Sequence, residues 1–247
     1  MKNVPTGSRQ AKKYSLNIFR YIAAVAVFGC QFHAPAAVAS EFTGIASLTS
    51  EYIYRGLAQS DGNPAFQLGL DYEFDAGIFV GAWASTIDLQ SAVGKRDTEL
   101  DFYLGYHYES EAPLSATLTV LRYTYPGQTG SHSYDYDEVL VSTTWRERYS
   151  IELGYTDNLY GLGQIARHLE LRSEWPVANV WVVSVALGRN DLSAIGVSEY
   201  LHWDVGASAR FSRLVLDLRW YDNETPDGFA ASISAGSQFV VSLSAAF

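Results

Sequence analysis

Several things are scarce in this 247-residue sequence. It has one cysteine, Cys30, so no disulfide can form within the chain. Its longest apolar run, Tyr21–Cys30, falls well short of the ~20 residues a helix needs to cross a bilayer, which excludes a helical membrane protein. Prolines number 7, and beyond residue 39 there is a single lysine, Lys95. That later part holds 12 of the 17 Lys+Arg and all 27 Asp+Glu, a surface that repels phosphate backbones and argues against a nucleic-acid partner. What is present excludes disorder: 48% of residues are hydrophobic and 14% aromatic.

Residues 1–39 carry Lys2, Arg9, Lys12, Lys13 and Arg20 and no acid. A basic stretch, then apolar Tyr21–Phe28, then Ala37-Val38-Ala39 reads as an export signal with an A-x-A cleavage site. The expected division is a signal peptide over 1–39 and a mature domain over 40–247. Val27-Phe28-Gly29-Cys30 loosely resembles a lipoprotein box, which Phe28 fits poorly.

Past residue 40 the hydrophobic period is two. In Glu99–Tyr108 every even position is large and apolar, while the odd positions are mostly polar or small. The same beat runs through 66–74, 149–155, 169–175, 201–211, 214–220 and 239–247, with less regular segments at 42–54, 77–88, 114–125, 136–145 and 179–188. Together these predict twelve strands, with ten or fourteen as alternatives.

The connections alternate in length. Short ones fall near 75–76, 110–113, 146–148, 176–178 and 211–212, and long ones near 55–63, 89–96, 127–134, 157–166, 189–199 and 222–234. A transmembrane barrel requires that rhythm, with short periplasmic turns and long outer loops; a soluble sandwich does not. The fold class expected is therefore all-β: a transmembrane antiparallel up-and-down barrel of about 12 strands in the outer membrane of a Gram-negative bacterium. An even strand count places both termini in the periplasm. Aromatics at the ends of the apolar faces (Phe66 and Phe74, Tyr149 and Tyr155, Trp203 and Phe211, Phe239 and Phe247) fit girdles about an apolar band of ~25 Å. The final amphipathic strand, ending in Phe247, resembles the signal read by the barrel assembly machinery, one expected partner alongside outer-membrane lipids.

The segment Thr49-Ser50-Glu51-Tyr52-Ile53-Tyr54-Arg55-Gly56, followed by Gln59-Ser60-Asp61-Gly62-Asn63-Pro64-Ala65, resembles the opening of the TorF-type porins of Gram-negative bacteria. Arg55, Gly56, Gln59, Ser60, Pro64, Ala65, Gln67 and Asp71 match that pattern, with mild departures at Glu51, Tyr54 and Ala58. The resemblance covers about residues 45–100 and implies an outer-membrane barrel with a channel role.

If the apolar positions face lipid, alternation assigns the lumen. The expected pore-lining set is Glu99, Asp101, His168, Glu170, Arg172, His202, Asp204, Asp217 and Arg219, with Asp71, Glu73, His107, Glu138, Glu152, Glu174 and Arg210 also inward. A two-residue turn at Phe211-Ser212 would set Arg210 opposite Arg213, Asp204 opposite Arg219 and Trp203 beside Trp220. In a wet lumen an Asp204–Arg219 pair is worth only about 0–1 kcal/mol. His168, His202 and Asp204 could meet around an ion, though solvated pore-lining histidines are the plainer reading, so no metal and no cofactor is expected. Nor is an enzyme: there is no G-x-S-x-G elbow, and His107, His168 and His202 point inward while His132 lies in a loop. The functional expectation is a narrow passive channel for small cationic or neutral solutes. The alternatives are a plugged barrel acting through its outer loops and a soluble secreted barrel that binds a small ligand.

Overall fold

A computed structural model of the chain describes residues 41–91, 94–127, 132–224 and 236–247. The export-signal region and Cys30 lie outside the described residues. The strands, in chain order, are β1 (Glu41–Thr49), β2 (Ile53–Tyr54), β3 (Leu57–Ala58), β4 (Ala65–Glu73), β5 (Ile78–Ser91), β6 (Gly94–Glu109) and β7 (Leu114–Thr124). There follow β8 (Tyr136–Trp145), β9 (Tyr149–Thr156), β10 (Ala166–Pro176), β11 (Trp181–Asp191), β12 (Tyr200–Phe211), β13 (Leu214–Asn223) and β14 (Gln238–Ala246). Twelve of them form a closed antiparallel barrel in which each strand pairs with the next, β4 pairs with β1, and β1 returns to β14. Closure leaves no unpaired edge.

The period of two in the sequence becomes two faces. Along β8 and β12 buried and exposed residues alternate almost without exception. The outer face is apolar and exposed, with Leu118, Val141, Leu153, Leu171, Leu187 and Val205 among its residues. The eight end-of-strand aromatics named above are all exposed on it.

The inner wall is tightly fitted, and glycines make room for aromatic rings. Tyr103 lies where a Cβ at Gly81 would stand and Phe79 fills the place beside Gly105, while on the outer face the ring of Phe247 covers Gly44. The seam is secured at that last contact by paired backbone bonds, Gly44 N–H to Phe247 O and Phe247 N–H to Gly44 O, both 2.9 Å.

Three details differ from the sequence reading. The first strand stops at Thr49, not 54, because the chain then turns to form a two-stranded hairpin, β2–β3. Residues 89–91 and 94–96, expected in a loop, are strand. β5 and β6 stay paired out to Ser91 and Gly94, across an irregularity between Thr86 and Leu89 that absorbs the change of register. The turn between β12 and β13 is Ser212-Arg213, with Ser212 at φ 58°, and not Phe211-Ser212. Phe211 therefore pairs with Leu214 and Arg210 with Val215, while Asp204 sits opposite Tyr221, Arg219 opposite Gly206, and Trp203 opposite Asp222. The shift is two in the pairing sum, so inward residues stay inward.

Candidate functional site: the lumen and its inserted hairpin

The hairpin β2–β3 lies inside the barrel. Its turn residues Arg55 and Gly56 have φ of 49° and 79°, and glycine meets the second at no steric cost. Space at Gly56 is also restricted, since a Cβ there would lie 2.5 Å from the His202 Cβ. Arg55 donates to Glu138 on β8 at 2.9 Å, and the Tyr54 hydroxyl meets that of Tyr123 on β7 at 2.7 Å. From the other side Tyr200 of β12 donates to the Arg55 carbonyl at 3.1 Å, and Asn223 of β13 donates to the Gly56 carbonyl. Strands β8 and β13 stand five apart in a ring of twelve. The hairpin thus bridges nearly opposite walls.

The segment singled out by the porin resemblance is this hairpin and its return to the wall. Gln59 and Ser60 are buried, Ser60 Oγ accepts from Tyr52 N–H and donates to Asn63 O, and Asp88 N–H donates to Gln59 O. Pro64 precedes β4, and Asp71 on β4 accepts from the Tyr103 hydroxyl at 2.5 Å. Burial opposes the charge on Arg55, and the adjacent Glu138 carboxylate more than offsets it, so the guanidinium is held above its ordinary pKa.

All nine residues expected to line a pore lie on the inner face; seven of them form two groups of acids and arginines, and His168 and His202 form a pair. On β10–β13, Arg172 binds Glu170 at 3.0 Å and Asp204 at 3.1 Å, while Arg219 binds Asp204 and, at 3.0 Å, Asp217. Asp217 also accepts from Ser208 at 2.5 Å. Arg219 is 2% exposed and Asp204 3%. The expectation of a solvated pair worth little is therefore corrected: this is a buried network in which the charges are desolvated. The second group is Glu99 and Asp101, two residues apart on β6, with Arg96 as the basic neighbour of Glu99. Glu99 accepts from Tyr125 at 3.3 Å; Asp101 is 0% exposed.

His168 and His202 are buried with their rings stacked at 5.6 Å, so they are not solvated histidines. The trio weighed and set aside in the sequence is also not the one that meets. Asp204 is held by two arginines, and Glu170 is the acid that joins the two histidines.

Sequence reasoning did not find the tyrosine lining. Tyr123 stacks on Tyr136 at 4.4 Å, Tyr136 meets Tyr160 edge-on, and Arg96 lies over the rings of Tyr134 and Tyr125 at 4.0 and 5.4 Å. The signal was there in odd-numbered Tyr103, Tyr123 and Tyr125, which share the inward parity of Glu99 and Asp101.

A family model described as "Bacterial protein of unknown function (Gcw_chp)" matches residues 33–247. The chain belongs to that family. No curated protein matches it. Among solved structures it is similar to the KdgM porin in complex with disordered oligogalacturonate (TM-score 0.53, 8% identity, covering 84% of this chain and 99% of that one). It is also similar to the COG4313 outer membrane channel from Pseudomonas putida F1 (TM-score 0.52, 12% identity, covering 89% and 98%). At these identities the likeness of this Gcw_chp barrel to the two channels is one of fold.

Proposed function

We propose that the chain is an outer-membrane porin-like channel, related to the TorF-type porins its hairpin segment resembles, that passes small cationic or neutral solutes by diffusion. One observation carries the reading: an inserted hairpin narrows a closed barrel, and Asp71, Glu99 and Asp101 line the inner wall, where Arg96 is the basic neighbour of Glu99. Carboxylates on a narrow path attract cations and repel anions. The lumen differs in this from what a polyanion such as the oligogalacturonate bound by KdgM requires. The apolar outer face with aromatic ends suits a bilayer, and the short-turn end, where β1 begins and β14 ends, is the periplasmic one. The pore-lining role falls to Glu99, Asp101, His168, Glu170, Arg172, His202, Asp204, Asp217 and Arg219.

The test is single-channel recording of the refolded barrel in a planar bilayer under a KCl gradient. Discrete steps with a cation-selective reversal potential are expected, reduced in selectivity by Glu99→Gln with Asp101→Asn. Anion-selective steps overturn the solute class. Silence from a barrel verified as folded overturns the channel and favours a plugged barrel acting through its outer loops, a reading that the near-complete burial of Asp101, Asp204 and Arg219 supports.

A further inference from the structure

Two histidines and a glutamate converge on one point of the inner wall. His168 and Glu170 stand two residues apart on β10, and His202 stands on β12, with β11 between them. On that rung β11 presents Gly188, paired with Glu170 on one side and with His202 on the other. The missing side chain is what allows the meeting, because a Cβ at 188 would overlap the His202 ring at Nε2. Ligand atoms of the three side chains lie within 4.8 Å of one another.

Their hydrogen bonds leave the right atoms facing inward. Asn190 donates through Nδ2 to the Tyr200 hydroxyl at 2.6 Å, and Tyr200 donates onward to the Arg55 carbonyl. Asn190 Oδ1 is thereby fixed as the acceptor for His168 Nδ1 at 2.8 Å. The proton of His168 then sits on Nδ1, and its lone pair is on Nε2. Metal-binding histidines are oriented by just this kind of outer bond. His202 Nε2 is buried and has no hydrogen-bond partner. Arg172 binds Glu170 entirely through Oε1, at 3.1 and 3.0 Å, which leaves Oε2 to turn toward the histidines.

We infer that His168, Glu170 and His202 form a binding site for one divalent transition-metal ion of the zinc class. Two imidazole nitrogens and a carboxylate oxygen suit Zn²⁺, Ni²⁺ or Cu²⁺, whereas Mg²⁺ and Ca²⁺ require oxygen ligands. Bonds of about 2.0–2.2 Å draw the three ligand atoms closer by roughly an ångström, and a fourth position stays open to water. Arg172 opposes the ion but keeps its second partner, Asp204, at 3.1 Å when Glu170 is engaged. That opposing charge makes the ion exchangeable. The site is independent of whether the barrel conducts.

The experiment is calorimetric titration of the whole chain, refolded in detergent and stripped with chelator, with Zn²⁺. Titration with Co²⁺, whose visible spectrum reports its coordination, runs in parallel. Circular dichroism and heat-modifiable migration verify folding of every variant. One Zn²⁺ per chain is expected, lost in His168→Ala, His202→Ala and Gly188→Val and retained in His107→Ala. Asn190→Ala, which touches no ion, is expected to weaken binding by about 10–100-fold, with Asn190→Asp restoring it. Mg²⁺ and Ca²⁺ are expected not to compete. A folded wild type that takes up no Zn²⁺, or one whose binding survives loss of either histidine, overturns the site. A silent barrel that still binds Zn²⁺ removes the channel reading alone.

Discussion

Arg219 on β13 and Asp204 on β12 form an ion pair although neither is the other's partner across the ladder. Arg219 stands opposite Gly206 and Asp204 opposite Tyr221, so the guanidinium crosses diagonally over a residue with no side chain. A Cβ at 206 would lie 2.7 Å from Arg219 Cζ. The glycine sets the reach of the arginine, and the arginine joins Asp204 to Asp217.

Removing that arginine exposes what the network offsets. Arg219→Met leaves Asp217 with the Ser208 hydroxyl and Asp204 with Arg172. Loss of one member of a buried charge group costs about 3–5 kcal/mol, and adding Asp217→Asn should recover part of it. Urea unfolding in lipid vesicles measures both. A loss below about 1 kcal/mol means that water reaches these groups.

Arg55→Ala should loosen the hairpin without opening the barrel. Glu138 is buried and Arg55 is the cation that compensates it, so thermal stability falls, while the hairpin keeps only the Tyr54 hydroxyl on Glu138 as its hold on β8. In bilayer recordings the variant is expected to show larger or noisier steps than the wild type. Unchanged steps would mean that the hairpin does not set the narrowest point.

Depth in the bilayer can be read from two equally exposed leucines. Leu171, midway along β10, is 46% exposed, and Leu214, beside the β12–β13 turn, is 47% exposed. A lipid-facing arginine costs about 2–4 kcal/mol at the midplane and about 0–1 near the interface. Leu171→Arg should therefore destabilise far more than Leu214→Arg in vesicles. Equal costs would argue against a membrane-facing surface.

The strands and their faces were legible in the sequence because alternation is a local signal. It placed Glu99, Asp101, Asp204 and Arg219 on one side of the wall whatever the register. Register itself was not legible at β12–β13, where a serine adopts φ 58° and no glycine or asparagine marks the turn. The meeting of Glu170 with His202 was hidden as well, since it depends on Gly188, a residue on the strand between them. Residues 50–54 alternate well enough to extend a strand, and only the ring of partners around Arg55 and Gly56 shows that they leave the wall.

The glycine-to-ring fits supply a further test. Gly81→Val would push aside Tyr103, which donates to buried Asp71, so the change combines overpacking with a lost hydrogen bond. Overpacking alone costs about 1–3 kcal/mol. Denaturation in vesicles should show a loss in that range or above, and Tyr103→Ala in the same chain should relieve the crowding component.

The seam between β1 and β14 has a consequence for how the barrel comes into being. The Ser47 and Ser244 hydroxyls meet at 2.7 Å across 197 residues of chain, and the Phe247 ring seats on Gly44 only when both strands are present. Joining such distant segments costs chain entropy before any contact repays it, and contacts of that span slow folding. Until they meet, β1 and β14 each offer a row of open backbone groups to any strand nearby. The barrel is therefore most vulnerable to mispairing while nearly complete, and a chaperone for it would need to guard two edges at once.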